Sequence, residues 1–337
     1  MSLEGSLEYR RLRAPLGSGT ALVEPELARA SGDARQSIAP AFELLGRSGG
    51  DLQSIARRDL LTAARAYTAQ YRDVPATAGE GPIFLGGHQP ELFHPGVWFK
   101  NFVLDELARR TGGTAVNLVI DNDLCRRPSI EVPAGEGGAM RRMSIAYDEA
   151  GDPLPYEDRP IRDAELFARF PQAVAEACGP WGADSLLPRL WKYVLESRGP
   201  GEELGLRLAR GRHRLEQDFG LSTLELPLSY LCRTPWFCWF TAALMAEAPR
   251  FAEIYNRTLA EYRALHRLRN QAAPAPDLEC SGEQCELPFW AWHREAPQRS
   301  RLYLRRRGNE LLLFTERETL GTMPHAEHDA GGASAAL

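Results

Sequence analysis

The sequence predicts an α/β protein: a parallel sheet flanked by helices, with a helical N-terminal region and a C-terminal β-hairpin. Three observations carry that expectation. The apolar tetrapeptide IFLG at 83–86 runs into a glycine-bearing turn and a helix, and a second apolar segment, TAVNLVID at 114–121, follows within about 40 residues. Strand, helix and strand at that spacing make a βαβ unit, whose crossover is right-handed and whose strands are parallel. Apolar residues recur every three to four positions through 23–72, the period of a helix, and residues 300–315 alternate around Arg307-Gly308-Asn309 as a hairpin does.

Taken in order, Ile38, Phe42 and Leu45, then Leu52, Ile55, Leu60, Ala63 and Tyr67, predict helices over 23–72, which the linker VPATAGEG ends. IFLG has the unbroken apolar character of a strand buried on both faces. A helix over 96–110 stops at Gly112-Gly113, before the second strand. Further strands are expected at 129–132, 140–147 and 223–231, and helices at 163–178, 183–197 and 201–218. Two helices split at Pro249 follow, and the aromatic residues Trp236, Phe237, Trp239 and Phe240 at their start read as core. The domains expected are a helical N-terminal region (1–79) packed on the core, an α/β core with helical insertions (80–290), a β-hairpin extension (291–321) and a disordered tail (322–337).

A formal net charge of −5 and a pI near 5.9 argue against a general nucleic-acid binder, which needs a basic excess on one face. Lys100 and Lys192 are the only lysines among 40 basic residues. A lysine inside the most motif-like segment therefore stands out. Six scattered cysteines contain no C-x-x-C pair, so reduced thiols are expected, with a disulfide or metal role for Cys280 and Cys285 as the alternative. No charged-then-apolar leader opens the sequence, and the longest apolar run, 236–246, is too short to span a bilayer. The expected location is cytoplasmic, with no membrane partner and the oligomeric state open. Serine-hydrolase elbow, P-loop and HExxH patterns do not occur.

The chemistry gathers at the first βαβ unit. Gly86, Gly87, His88, Gln89, Glu91, His94 and Gly96 fall within eleven residues, at the carboxyl end of the first strand and the start of a helix. There, glycines permit close backbone approach or positive φ, and His88 and Gln89 offer donors and acceptors. A long turn with His88 and Gln89 capping the helix would use the same residues. The second strand ends in Asp121-Asn122-Asp123, which can hold a ribose hydroxyl, an amine or a magnesium ion, or take a proton; an Asx turn is the rival account. His94-Pro95-Gly96 resembles the first three positions of the H-x-G-H signature of adenylyl-transferring enzymes, with Val97 at the fourth.

Together the two segments resemble the cysteine ligase family of bacillithiol biosynthesis. Gly87, His88, Gln89, Leu92 and Phe93 fall on its first-loop pattern, His94-Pro95-Gly96 replaces its T-G-P, and Asp121, Asn122 and Asp123 fall on its acidic run. The resemblance covers residues 82–125; the family's coiled-coil arm has no counterpart here, and His88 and Asn122 depart from the pattern. It implies a Rossmann-like core, related in fold to nucleotidyltransferases, with a polar pocket over these loops.

Elsewhere, Asn256, Arg263 and Asn270 lie seven apart on one helical stripe, a solvated face or a pair of ligand contacts from Asn256 and Arg263, while Phe251, Tyr255, Tyr262 and Leu265 make the buried side. The function expected is a ligase-like or nucleotidyltransferase-like enzyme acting on a small polar metabolite with ATP and magnesium, and with no structural metal. His94, Lys100, Asp121 and Asp123 are the catalytic candidates. Gly86, Gly87, His88, Gln89, Gly96, Asn122, Asn256 and Arg263 are the ligand-binding ones. A non-catalytic small-molecule or nucleotide-binding regulator of the same fold is the first alternative, and a small-molecule hydrolase using His94 with Asp121 or Asp123 the second.

Overall fold

A computed structural model describes residues 12–35, 41–44, 46–74, 81–92, 94–135, 140–197, 203–293 and 296–324. The described residues form two compact units, one from those within 25–40 and 50–237, the other from those within 1–24, 41–49 and 238–337. The N-terminal region is helical in α1 (Leu27–Arg35) and α2 (Gly49–Thr68). Between them β1 (Glu43–Leu44) and β2 (Arg47–Ser48) pair antiparallel, where a helix through Phe42 was expected; Ile38 and Leu45 lie outside the described residues. Gly46, at φ 74°, supplies the left-handed turn.

The larger unit continues with β3 (Ile83–His88), α3 (Pro95–Thr111) and β4 (Thr114–Val119), a βαβ unit with β3 and β4 parallel. The short β5 (Leu124–Cys125) pairs with β8 (Leu154–Pro155), and between them β6 (Ser129–Ala134) and β7 (Arg141–Ala146) form a separate antiparallel pair. Helices α4 (Ala164–Cys178), α5 (Leu187–Glu196) and α6 (Leu204–Asp218) lead to β9 (Leu224–Pro227), which adds parallel to β4. The parallel sheet among the described residues thus has three strands, in the order β3-β4-β9. β3 is an edge of this sheet, and Leu85 on it is 53% exposed although a strand buried on both faces was expected. The third strand is shorter than predicted: Pro227 has no N–H to extend the ladder, and residues after it turn into α7 (Leu228–Leu231).

Local chemistry explains the helical layer. Asp163 caps α4 by accepting from the Glu165 and Leu166 N–H groups at 3.0 and 2.9 Å. Pro171 inside α4 cannot donate to the Phe167 carbonyl, and the Trp191 indole of α5 takes that acceptor at 2.6 Å. Trp191 is fully buried there with Phe167, Phe170, Tyr147 and Val194. Gly211 lets α6 lie close on α5, since a Cβ would stand 2.4 Å from Val194 Cγ2.

In the smaller unit, α8 (Pro235–Ala246) and α9 (Ala248–Leu265) precede a five-stranded antiparallel meander. Its strands are β10 (Cys280–Ser281), β11 (Gln284–His293), β12 (Ala296–Arg307), β13 (Glu310–Phe314) and β14 (Thr319–Pro324). Leu287, Leu302, Leu304 and Leu311 form its apolar interior with Met245 and Ala248. The expected hairpin is β12–β13, turning at Gly308. The boundary expected at 290 falls inside β11, and Thr322–Pro324, assigned to a disordered tail, belong to β14; residues 325–337 lie outside the described ones. Cys280 and Cys285, expected as thiols, stand opposite each other in register and form a disulfide. The aromatics of α8, expected as core, are half-buried, with Phe240 exposed. No helix among the described residues is long and apolar enough to cross a membrane.

Candidate functional site

Pro95 opens α3, where a residue without an N–H loses nothing. The helix start is closed by His94: its Nδ1 accepts from the Gly96 N–H at 3.0 Å, and its carbonyl accepts from Val97 and Trp98 at 2.8 and 3.2 Å. Phe93 lies outside the described residues. Gly86 and Gly87, expected in the loop, lie within β3, and neither has a positive φ. A Cβ on Gly86 would stand 2.5 Å from Leu104 Cδ1 of α3, so its smallness serves helix–strand packing.

The second loop meets the first. Gln89 Nε2 donates to Asp123 Oδ2 at 2.8 Å, and the Ile120 N–H donates to the His88 carbonyl at 2.9 Å. Asp123 Oδ1 accepts from the Leu124 N–H at 2.8 Å, which gives the turn account its share. Asp121 is buried; it accepts from the Ser229 N–H at 3.0 Å and from the Ser229 hydroxyl, and Asn122 is exposed. Burial raises the Asp121 carboxyl above its ordinary range, against the pull of the Ser229 hydrogen bonds. A third segment completes the edge, with the Tyr156 N–H on the Asp123 carbonyl at 3.0 Å and the Glu157 N–H on the Asp121 carbonyl at 2.9 Å. These groups stand at the carboxyl ends of parallel strands, where α/β sheets hold ligands.

Glu157 is the member that sequence reasoning missed. Its half-buried carboxyl is pushed up to about 7, first by burial and then by the charges of Asp121 and Asp158, with Arg233 opposing. Its carboxylate makes none of the hydrogen bonds or ion pairs found among the described residues. In sequence, YEDR at 156–159 reads as an acidic surface turn; only the fold buries Tyr156 and Arg159 on either side.

No protein-family model and no curated protein matches the chain.

His88, Glu91 and His94 line a cavity of ≈ 870 Å³, within the range of small-molecule sites. Its other walls come from β6, α4, α6 and the 185–190 segment, and are mainly apolar: Leu92, Trp98, Val132, Val174 and Leu187 among them. Lys100 is exposed and off this lining. Asp121 and Asp123 are also off it, joined to it through Gln89 and His88. Asn256 and Arg263 belong to the other unit. Both Asn256 amide atoms bond the Leu278 backbone at 2.9 and 2.8 Å, and Arg263 holds Asp277 and the carbonyls of Gln271, Ala273 and Ala275. The stripe read as solvated or ligand-binding is thus a loop clamp. Arg263 is buried with Ala252 and Leu259, whereas Tyr262, expected inside, is 43% exposed.

Behind the cavity wall lies a polar interior. Glu216 Oε1 accepts from Trp98 Nε1, Asn101 Nδ2 and Arg212 at 2.8, 2.7 and 2.7 Å; Arg212 also pairs with Glu225, which accepts from Asn117 Nδ2 at 2.9 Å. Burial pushes the Glu225 carboxyl up while Arg212 holds it down. His213 is kept neutral: burial, then the charges of Arg72 and Arg212, hold it far below its usual range. Its Nε2–H donates to the Thr223 carbonyl at 2.9 Å, so its Nδ1 accepts from the Tyr71 hydroxyl at 2.6 Å.

A triphosphate would need free donors or cations here. The N–H groups at the start of α3 are taken by His94, the Arg212 charge is matched by Glu216 and Glu225, and Glu91 and Glu131 line the cavity as anions. The cavity therefore fits a nucleotide triphosphate poorly. Among the described residues, no group of three His, Cys, Asp or Glu is arranged to hold a metal ion.

Proposed function

We propose that the larger unit is a ligase-like or nucleotidyltransferase-like enzyme on a Rossmann-like core, acting on a small molecule at the carboxyl ends of β3, β4 and β9. The observation that carries this is the Gln89–Asp123 hydrogen bond at 2.8 Å, which unites two loops far apart in sequence beside a ligand-sized cavity. In this scheme Glu157 takes the proton from an attacking amine or hydroxyl, since a base titrating near 7 suits neutral pH. Asp121, fixed by Ser229, keeps the proton affinity of Glu157 high, and His88 and Gln89 orient the substrate. The likeness of 82–125 to the bacillithiol cysteine ligases supports the same reaction class. ATP and magnesium are co-substrates of that class; given the poor fit of the cavity, no step is assigned to them.

The test is product formation from amine and carboxylate panels with magnesium–ATP. Glu157→Gln should lower turnover by about 100-fold or more and remove the limb of the pH profile near 7. Turnover unchanged by that substitution would overturn the assignment of the base. A second, non-catalytic function as a binding protein is favoured by one observation: Asp121 and Asp123 already accept hydrogen bonds on both carboxylate oxygens. Ligand binding with no product from any panel would support it. For the hydrolytic alternative, His94 with Asp121 or Asp123, His94 Nδ1 caps α3, Asp121 accepts from Ser229, and Asp123 accepts from Gln89 and Leu124, so the structure lends it less support.

A further inference from the structure

We infer that the cavity beside the β3–α3 loop binds an amphipathic organic cation: an aromatic or aliphatic body carrying one amino or quaternary ammonium group. This deepens the proposed function by naming a substrate class, and it rests on that function only in taking the cavity as a small-molecule site.

The walls decide the body of the ligand. Leu92, Val132, Val174, Leu187 and the indoles of Trp98 and Trp181 give the cavity broad apolar surface, and burial of apolar area is what a hydrocarbon or aromatic body supplies. The charges decide its head group. Glu91, Glu131 and Arg212 are the charged side chains on the described lining, beside the imidazoles of His88 and His94. Arg212 is cancelled from behind by Glu216 at 2.7 Å and by Glu225. The carboxylates of Glu91 and Glu131 make none of the hydrogen bonds or ion pairs found among the described residues. Burial is the main cause that raises Cys125, Tyr147 and Tyr156, and the charge of the exposed Glu91 adds to it in each case. On the described lining two exposed, unpaired carboxylates thus stand beside apolar walls and two indoles with one compensated guanidinium, surroundings that favour an organic cation over an anion.

The test uses three probes with one body: 4-phenylbutylamine, 4-phenylbutanol and 4-phenylbutanoate, titrated into the full chain by calorimetry at pH 7. The amine should bind at least tenfold more tightly than the alcohol, and the carboxylate most weakly. Glu91→Gln with Glu131→Gln should bring amine and alcohol together, and Ala175→Trp, an exposed lining position on α4, should block all three. Equal or tighter binding of the alcohol or carboxylate, binding of none of the three, or binding that survives Ala175→Trp would overturn the inference. Amine binding without turnover would defeat the enzyme proposal alone, and turnover without amine binding would defeat this inference alone.

Discussion

Helices α4 and α5 close over Phe167, Phe170, Trp191 and Val194, whereas α6, the next helix along, carries Arg207, Arg210, Arg212, His213 and Glu216 into an interior just as inaccessible to water. The first region coheres by apolar area and ring contacts, with Trp191 centred 4.7 and 4.6 Å from Phe167 and Phe170. The second coheres because each charge meets a partner: Arg212 with Glu216 and Glu225, and Arg72 with the carbonyls of His213 and Leu221. Damage to an apolar interior costs lost area and packing at any pH, while a buried charge left without its partner costs several kcal/mol only when it is ionised. The polar region also holds Trp98, a residue of the cavity wall, through the hydrogen bond from its indole to Glu216.

The largest effect should come from Arg212→Met, which strands two buried carboxylates. Urea unfolding should show a loss of about 3–5 kcal/mol at pH 7. The sign with pH is set by Glu225: its folded-state carboxyl is already raised, and without Arg212 it rises further, so the penalty develops as pH climbs above the unfolded value. The deficit should therefore be smaller at pH 4 than at pH 8. Trp191→Ala should cost a comparable 3–5 kcal/mol, about the usual price of an emptied aromatic site, yet with no pH dependence. If the two variants respond to pH alike, the contrast between the interiors fails.

Gln89→Ala should cost less, about 1 kcal/mol, since it removes one hydrogen bond to a half-buried carboxylate. Its signature is local: amide exchange of 120–124 should quicken while the Trp191 region stays protected. The smallest effect is read as a sign. Glu157 is raised to about 7 when folded, so it stabilises least once deprotonated, and stability falls as pH rises from the unfolded carboxyl value towards 7. Glu157→Gln should raise the Tm at pH 8 and leave it unchanged near pH 4. A variant less stable than the parent at pH 8 would contradict the buried-acid account.

Much of the fold was legible. Gly112-Gly113, the spacing of 163–218 and the Gly308 turn placed α3, α4, α5, α6 and the β12–β13 hairpin near where they form, because caps, breakers and amphipathic period are local properties. The two-loop site was half legible: residue types nominated Gln89 and Asp123, and their hydrogen bond joins them. Lys100 and Arg263 misled for opposite reasons. A rare residue type can still point to water, and a polar stripe can be buried when a loop folds over it. Glu157 left no trace in sequence, since its perturbation comes from burial and from Asp121, 36 positions away in the chain.

By itself, the sequence determined the first βαβ unit, the helices α4 to α6, the β12–β13 hairpin and the polar loop at the end of the first strand, since backbone period, glycine and proline act within a few residues. The tertiary structure alone decided that β3 is an edge, that α6 is buried charge by charge, and that an apolar cavity with unmatched carboxylates opens beside the loop. Arg212 and Glu216 are one helical turn apart, but the burial that makes their pairing matter depends on residues more than a hundred positions away, Trp98 on Glu216 and Asn117 on Glu225.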